Sequence, residues 1–148
     1  MTRGESGIVV LLIDNFDSFS YNLYHQLTSL GARVKVMSYD QISLESIHEL
    51  SPSHIVLGPG PRAPQAYPLC GTIVQEYMDS VPLLGVCLGH QCIGSLTGGE
   101  IVPAKQLLYG KTAEITQVDS RLLKGFPLNS RWLDITHLCL RMYHLPSV

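Results

Sequence analysis

The sequence predicts an α/β fold, a three-layer α/β/α domain built on a mostly parallel central sheet. Three observations predict it. Ile8-Val-Val-Leu-Leu-Ile13 is an unbroken run of β-branched and leucine residues, which suits a strand buried on both faces. Short apolar runs alternate with segments of helical period, in the order β-α-β-α-β-α-β-α-β-β, the pattern of a parallel sheet covered by crossover helices. The glycine-bearing turns fall where strands end, and in such sheets ligand sites lie at the carboxyl ends of strands.

The elements follow in order. After the Ile8–Ile13 strand, Ser18 opens a helix with Phe19, Leu23, Leu27 and Leu30 along one side, and Gly31 closes it. Ala32 to Met37 alternates and reads as a second strand. Ser43 to Leu50 is a short helix with Leu44, Ile47 and Leu50 inward. His54 to Leu57 is a third strand, stopped by Gly58-Pro-Gly-Pro61. A helix over about Leu69–Asp79 leads to a further buried strand, Leu83 to Val86. Gly89 to Leu96 is helical and ends at Gly98-Gly99. Glu100 to Val102 and Thr112 to Val118 read as strands, and from Phe126 onward the pattern loses its period.

Composition excludes several classes. The 148 residues suit one domain, and Lys+Arg 10 against Asp+Glu 12 gives a charge of −2 with no basic run, which argues against a nucleic-acid binder. No apolar stretch approaches the roughly 20 residues that span a bilayer, and no signal peptide is legible, so no membrane partner is expected. The four cysteines, Cys70, Cys87, Cys92 and Cys139, form no C-x-x-C pair and are too sparse for a disulfide scaffold, which points to a reduced, cytoplasmic protein. No His/Cys/acid spacing suits a metal, and no phosphate-loop or dinucleotide fingerprint occurs, so neither metal nor cofactor is expected.

The chemistry concentrates at three strand ends. Gly85-Val-Cys87-Leu-Gly89 is a G-x-C-x-G between a buried strand and a helix, the thiol form of a nucleophile elbow. The helix N-terminus aimed at Cys87 should favour its thiolate, and the N–H of Leu88 faces the same space as an oxyanion donor. Read alone, the motif also fits a buried structural cysteine; the strand before and helix after favour the nucleophile. Cys70, Cys92 and Cys139 lack that setting and read as packing residues. The Leu57-Gly-Pro-Gly-Pro61 loop, expected beside the elbow strand, is stiffened by proline and carries glycines that bring backbone N–H groups to a ligand. In Asp14-Asn-Phe-Asp-Ser18, Asp17 or Ser18 reads as a helix cap, with Ser18 favoured, whereas Asn15 and Phe16 have no capping task and read as a ligand-side or partner-side surface. His90, three residues past the elbow, should point along the helix rather than at the sulfur, and Gln91 is better placed to reach a polar substrate group.

Together these pieces resemble the triad-type, or class I, glutamine amidotransferases, and within them the amidotransferase subunits of anthranilate synthase and aminodeoxychorismate synthase. The resemblance lies in Leu11–Leu23, Leu57–Pro64, Leu83–Gly94 and Gly98–Ile115. It implies that Cys87 attacks the side-chain amide of glutamine and forms a γ-glutamyl thioester. It also implies that Leu88 and the glycine loop (Gly60 or Gly58) hold the oxyanion and that Gln91 helps bind glutamine. The ammonia would go to a separate chorismate-using synthase subunit, facing the Asp14–Ser18 loop and the Lys105–Lys111 region.

Three departures from the family pattern stand out. Gly58-Pro-Gly-Pro-Arg62-Ala-Pro64 replaces G-P-G-x-P, and Tyr109-Gly-Lys111 replaces His-Gly-Lys. More seriously, the chain holds no His-Pro-Glu, the family's base and orienting carboxylate, and no Arg-Tyr-His-Ser after Leu123-Lys-Gly-Phe126. Residues 1–125 are therefore expected to be an incomplete amidotransferase domain with its C-terminal part missing, and residues 126–148 an aberrant tail. With permitted codons, a shifted frame from Trp132 spells Arg-Tyr-His-Ser at the expected distance; the nucleotide sequence tests this. An impaired glutaminase is expected, the alternative being a non-catalytic remnant that docks on a synthase or binds glutamine.

Overall fold

The computed structural model describes residues 8–103, 111–116, 129–134 and 138–142. The chain divides into two compact units, one holding residues 1–100 and 140–148, the other residues 101–139. The first unit contains a four-stranded parallel sheet of β1 (Val9–Asp14), β2 (Arg33–Ser38), β3 (His54–Leu57) and β4 (Leu83–Gly85), in the order β2-β1-β3-β4. Four helices connect or follow these strands: α1 (Ser20–Ser29), α2 (Leu44–Leu50), α3 (Pro68–Tyr77) and α4 (Leu88–Leu96), with a 3₁₀ turn at Pro64–Ala66. The predicted α/β class with a mostly parallel sheet is the observed one.

Alternate residues of β1 build the two sides of the core. Leu11 and Ile13 join Ile55 and Leu57 of β3 beneath α2, α3 and α4, whose Ile47, Ile73 and Leu88 are buried in the same cluster. Val10 and Leu12 turn the other way with Val56, and α1 covers them through Leu23, Tyr24 and Leu27. Helices thus lie on both faces, and the apolar run at residues 9–13 is continuous because neither face meets water. Fully burying one such aliphatic side chain is worth about 1.5–3 kcal/mol.

The termini of the elements have local causes. Gly31 closes α1 at φ 86°, a conformation a Cβ would oppose. Ser43 caps α2 in a reciprocal arrangement: its Oγ accepts from the Ser46 N–H at 3.1 Å and its own N–H donates to Ser46 Oγ at 3.0 Å.

Three expectations are corrected. Ser18 does not open or cap the first helix. That helix begins at Ser20, and the local donors are met by acids: Asp17 Oδ1 accepts from the Phe19 N–H at 2.8 Å, and Asp14 Oδ1 accepts from Ser20 Oγ at 2.6 Å. Phe19 and Leu30, expected on the inner side of α1, are exposed, because the covered stripe is narrower and rests on Leu23 and Leu27. The strand at Leu83 is not buried on both faces either; Leu84 is 43% exposed on β4, which pairs with β3 at one edge.

The second unit contains β6 (Lys111–Thr116) paired antiparallel with β7 (Asn129–Asp134), from Lys111 opposite Asp134 to Thr116 opposite Asn129. Thus Asn129–Asp134, within the stretch read as aperiodic, forms a strand. Two more strands, β5 (Gly99–Pro103) and β8 (Leu138–Met142), complete the described elements. Residues 104–110 lie outside the described residues, as do the side chains of Lys111 and Cys139. Among the described residues, no helix is long and apolar enough to cross a membrane.

Candidate active site

Register brings three strand ends into one row. Leu57 lies opposite Ile13 of β1 on one side and opposite Gly85 of β4 on the other. The segments that follow, residues 14–19, 58–63 and 86–87, therefore leave the same edge of the sheet. The chain runs from β1 to β2 on one side and returns to β3 on the other, so β1 and β3 flank the switch in strand order where such folds place ligands.

Cys87 sits where β4 turns into α4, with φ 53° and ψ −108°. A side chain held in this sparsely populated region signals a backbone constrained by its surroundings. The constraint is visible in the flanking glycines. A Cβ on Gly85 would strike the backbone of Gly89 and His90, and one on Gly89 would strike the carbonyl of Leu57. Only glycines let the helix start this close to the strand ends. The result leaves Cys87 exposed among buried neighbours Leu88 and Gly89.

Two backbone N–H groups, those of Leu88 and Gly60, lie at the Cys87 sulfur and favour its thiolate, drawing its pKa down. Burial of the sulfur acts in the opposite direction and is the largest influence, with the negative charge of Asp17 adding to it, so the thiol lies above its ordinary value. The helix-end donors expected to favour the thiolate are present, and partial desolvation of the otherwise exposed residue opposes them.

The structure also separates the two glycine candidates. The Gly58 N–H donates to the Ile13 carbonyl at 2.9 Å, continuing the β1–β3 ladder, and is spent. The Gly60 N–H faces Cys87. Of the two glycines, Gly58 is thus engaged in the sheet, and Gly60 is the one whose N–H, with that of Leu88, lies at the sulfur. The site can hold a tetrahedral oxyanion beside a thiol, the arrangement acyl transfer requires.

Gln91 lies one turn along α4, 6% exposed, its N–H donating to the Cys87 carbonyl at 3.1 Å. No buried side-chain N or O among the described residues lacks a partner. His90 is exposed on the same helix.

Asn15 departs most from expectation. Read as surface, it is 0% exposed. Its Nδ2 donates to the Gly58 carbonyl at 2.9 Å and its Oδ1 accepts from Cys70 Sγ at 3.4 Å. A carboxamide at the end of a buried strand with no helix to cap was a signal that it needed buried partners. Phe16, with φ 64°, does lie at the surface. Cys70 and Cys92 are buried packing residues as expected, and the neighbouring Cys92 sulfur, then burial, push the Cys70 thiol far up. Among the described residues no group of three His, Cys, Asp or Glu side chains could hold a metal ion.

Comparison with known proteins decides the family. The model of the class I glutamine amidotransferase family matches residues 11–132. The chain belongs to the class I glutamine amidotransferases. As such an amidotransferase it is 44% identical over 117 residues to anthranilate synthase component 2 of Pseudomonas aeruginosa, covering 79% of this chain and 58% of that protein. It is 40% identical over 117 residues to aminodeoxychorismate synthase component 2 of Escherichia coli, covering 79% of this chain and 63% of that protein. It thus spans about three fifths of the length of these curated relatives. A solved glutamine amidotransferase from Thermotoga maritima shares the fold with a TM-score of 0.74 at 16% identity, covering 91% of this chain and 63% of that one.

Proposed function

We propose that this amidotransferase chain releases ammonia from glutamine for a separate chorismate-using synthase, in anthranilate or 4-amino-4-deoxychorismate formation in the cytoplasm. The observation that carries the reading is the pair of N–H groups, Leu88 and Gly60, converging on Cys87 at a strained strand–helix turn. Cys87 Sγ adds to the side-chain carbonyl of glutamine, and the oxygen that gains charge lies between the two donors. Collapse breaks the C–N bond, the departing nitrogen takes up the proton given up by the Cys87 thiol and leaves as ammonia, and the γ-glutamyl group remains as a thioester that water hydrolyses to glutamate, restoring the thiol. Gln91, one turn along α4 from Cys87, helps to bind glutamine in this reading. The names of the relatives, each a component 2, support a synthase partner, and the exposed Phe16 of the loop after β1 fits the partner side.

A second reading, docking or glutamine binding without turnover, is favoured by a thiol held above its ordinary pKa. Incubation with the chloromethyl ketone analogue of glutamine tests both. We expect stoichiometric labelling of Cys87, none in Cys87→Ala, and ammonia release from glutamine close to the buffer rate without added synthase. Labelling elsewhere refutes the first reading; brisk ammonia release refutes the incapacity.

A further inference from the structure

Asn15 fills a role that its position after β1 does not announce. Burying a primary amide costs a few kcal/mol unless its donors and acceptor find partners. Here they find them in the segments around the oxyanion loop. Nδ2 holds the Gly58 carbonyl at 2.9 Å, while the N–H of the same glycine is tied to Ile13 at 2.9 Å. Oδ1 is held by Cys70 Sγ at 3.4 Å, and the Asn15 carbonyl by the Tyr67 hydroxyl at 3.2 Å. Tyr67 is itself braced edge-on against Tyr39, with ring centroids 5.0 Å apart. The loop also rests on Asn15 directly: a Cβ built on Gly60 would lie 2.9 Å from Asn15 Cβ and 3.0 Å from its carbonyl oxygen. Asn15 therefore fixes Gly58 by a hydrogen bond and seats Gly60 by contact, two residues apart on a loop stiffened by Pro59 and Pro61.

We infer that Asn15 is a positioning residue for the site: it aims the Gly60 N–H at the oxygen that becomes charged when Cys87 attacks an amide or ketone carbonyl. The inference rests on the proposed amidotransferase reading and adds to it a residue that touches neither substrate nor sulfur. A merely structural Asn15 would affect folding and every reaction of Cys87 alike. A positioning Asn15 affects only reactions in which a carbonyl oxygen takes up charge.

Two reagents separate these roles. The chloromethyl ketone analogue of glutamine presents a ketone oxygen to the donors while Cys87 Sγ displaces chloride, forming a C–S bond and releasing the thiol proton to solvent. Iodoacetamide alkylates the same sulfur by displacing iodide, with no carbonyl addition. The ratio of the two second-order rate constants cancels any change in thiolate population. Asn15→Asp, which removes the donor to Gly58, is expected to lower that ratio about 10- to 100-fold, the lower part of what loss of a full oxyanion donor costs and below. Tyr67→Phe, which releases only the Asn15 carbonyl, is expected to lower it less, in the same direction. An unchanged ratio in folded Asn15→Asp overturns the inference. If that variant does not fold by circular dichroism, an unchanged ratio in Tyr67→Phe overturns it. Failure of the unsubstituted chain to prefer the glutamine analogue over a chloromethyl ketone without the amino-acid group overturns the functional reading, and the inference with it.

Discussion

Opposing influences meet on the Cys87 sulfur. Two N–H groups stabilise the thiolate, while burial and the Asp17 carboxylate disfavour it, and the net pKa lies above the ordinary thiol value. The sign gives a prediction. Below that pKa the alkylation rate follows the thiolate fraction, so iodoacetamide labelling of Cys87 should keep rising with pH past the value of an ordinary thiol. Asp17→Asn keeps an oxygen to accept from Phe19 but removes the charge. It should shift the profile to lower pH and speed labelling several-fold at pH 8; an unmoved profile would show that the charge does not reach the sulfur. Much of this site was legible before any coordinates. Cys87, Leu88 and Gly60 follow from a glycine-flanked thiol after a strand and a glycine loop beside it. The choice of Gly60 over Gly58 was not legible, because it depends on which N–H the β1–β3 ladder consumes. Nor was Asn15, whose burial is produced by Tyr67 and Cys70, more than 50 positions away.

Among the elements, α2 depends most on its ends. At seven residues it is far shorter than a helix that persists alone, so its cap and the burial of Ile47 must hold it. Ser43→Ala breaks the reciprocal cap and should cost about 1 kcal/mol, read as a lower urea midpoint with unchanged slope. A midpoint equal to that of the unsubstituted chain would remove the cap from the account of α2. Element type was readable throughout residues 9–96, because apolar period and glycine stops agree there. Helix beginnings were less readable. Asp14, Asp17, Ser18 and Ser20 all carry cap-forming side chains within seven residues, and only the fold decides which donors each meets. The side of α1 that faces inward also could not be read from Phe19 or Leu30, since the sheet face it covers is only wide enough for Leu23 and Leu27.

For the whole molecule, the sheet edge at β4 carries its own test. Leu84 is exposed there on a three-residue strand, and an apolar exposed edge invites pairing with another chain. Leu84→Lys should lower the concentration-dependent light scattering of the 148-residue polypeptide without reducing Cys87 labelling; undiminished scattering would locate the self-association elsewhere. The exposure was hidden in the sequence because Leu83-Leu-Gly-Val86 has the composition of a doubly covered strand. Coverage depends on what lies beyond the neighbouring strand, which composition does not record.

The row formed by Ile13, Leu57 and Gly85 acts as a datum line for the site. The loops that depart from it, such as Pro61-Arg62-Ala63, stand outside the strand register and so have room for a change of length. The strands behind it do not. Deleting one residue from β3 would draw its end back by about 3.3 Å and turn its side chains to the opposite face of the sheet. A change of length is therefore expected to be tolerable in front of that line and disabling behind it.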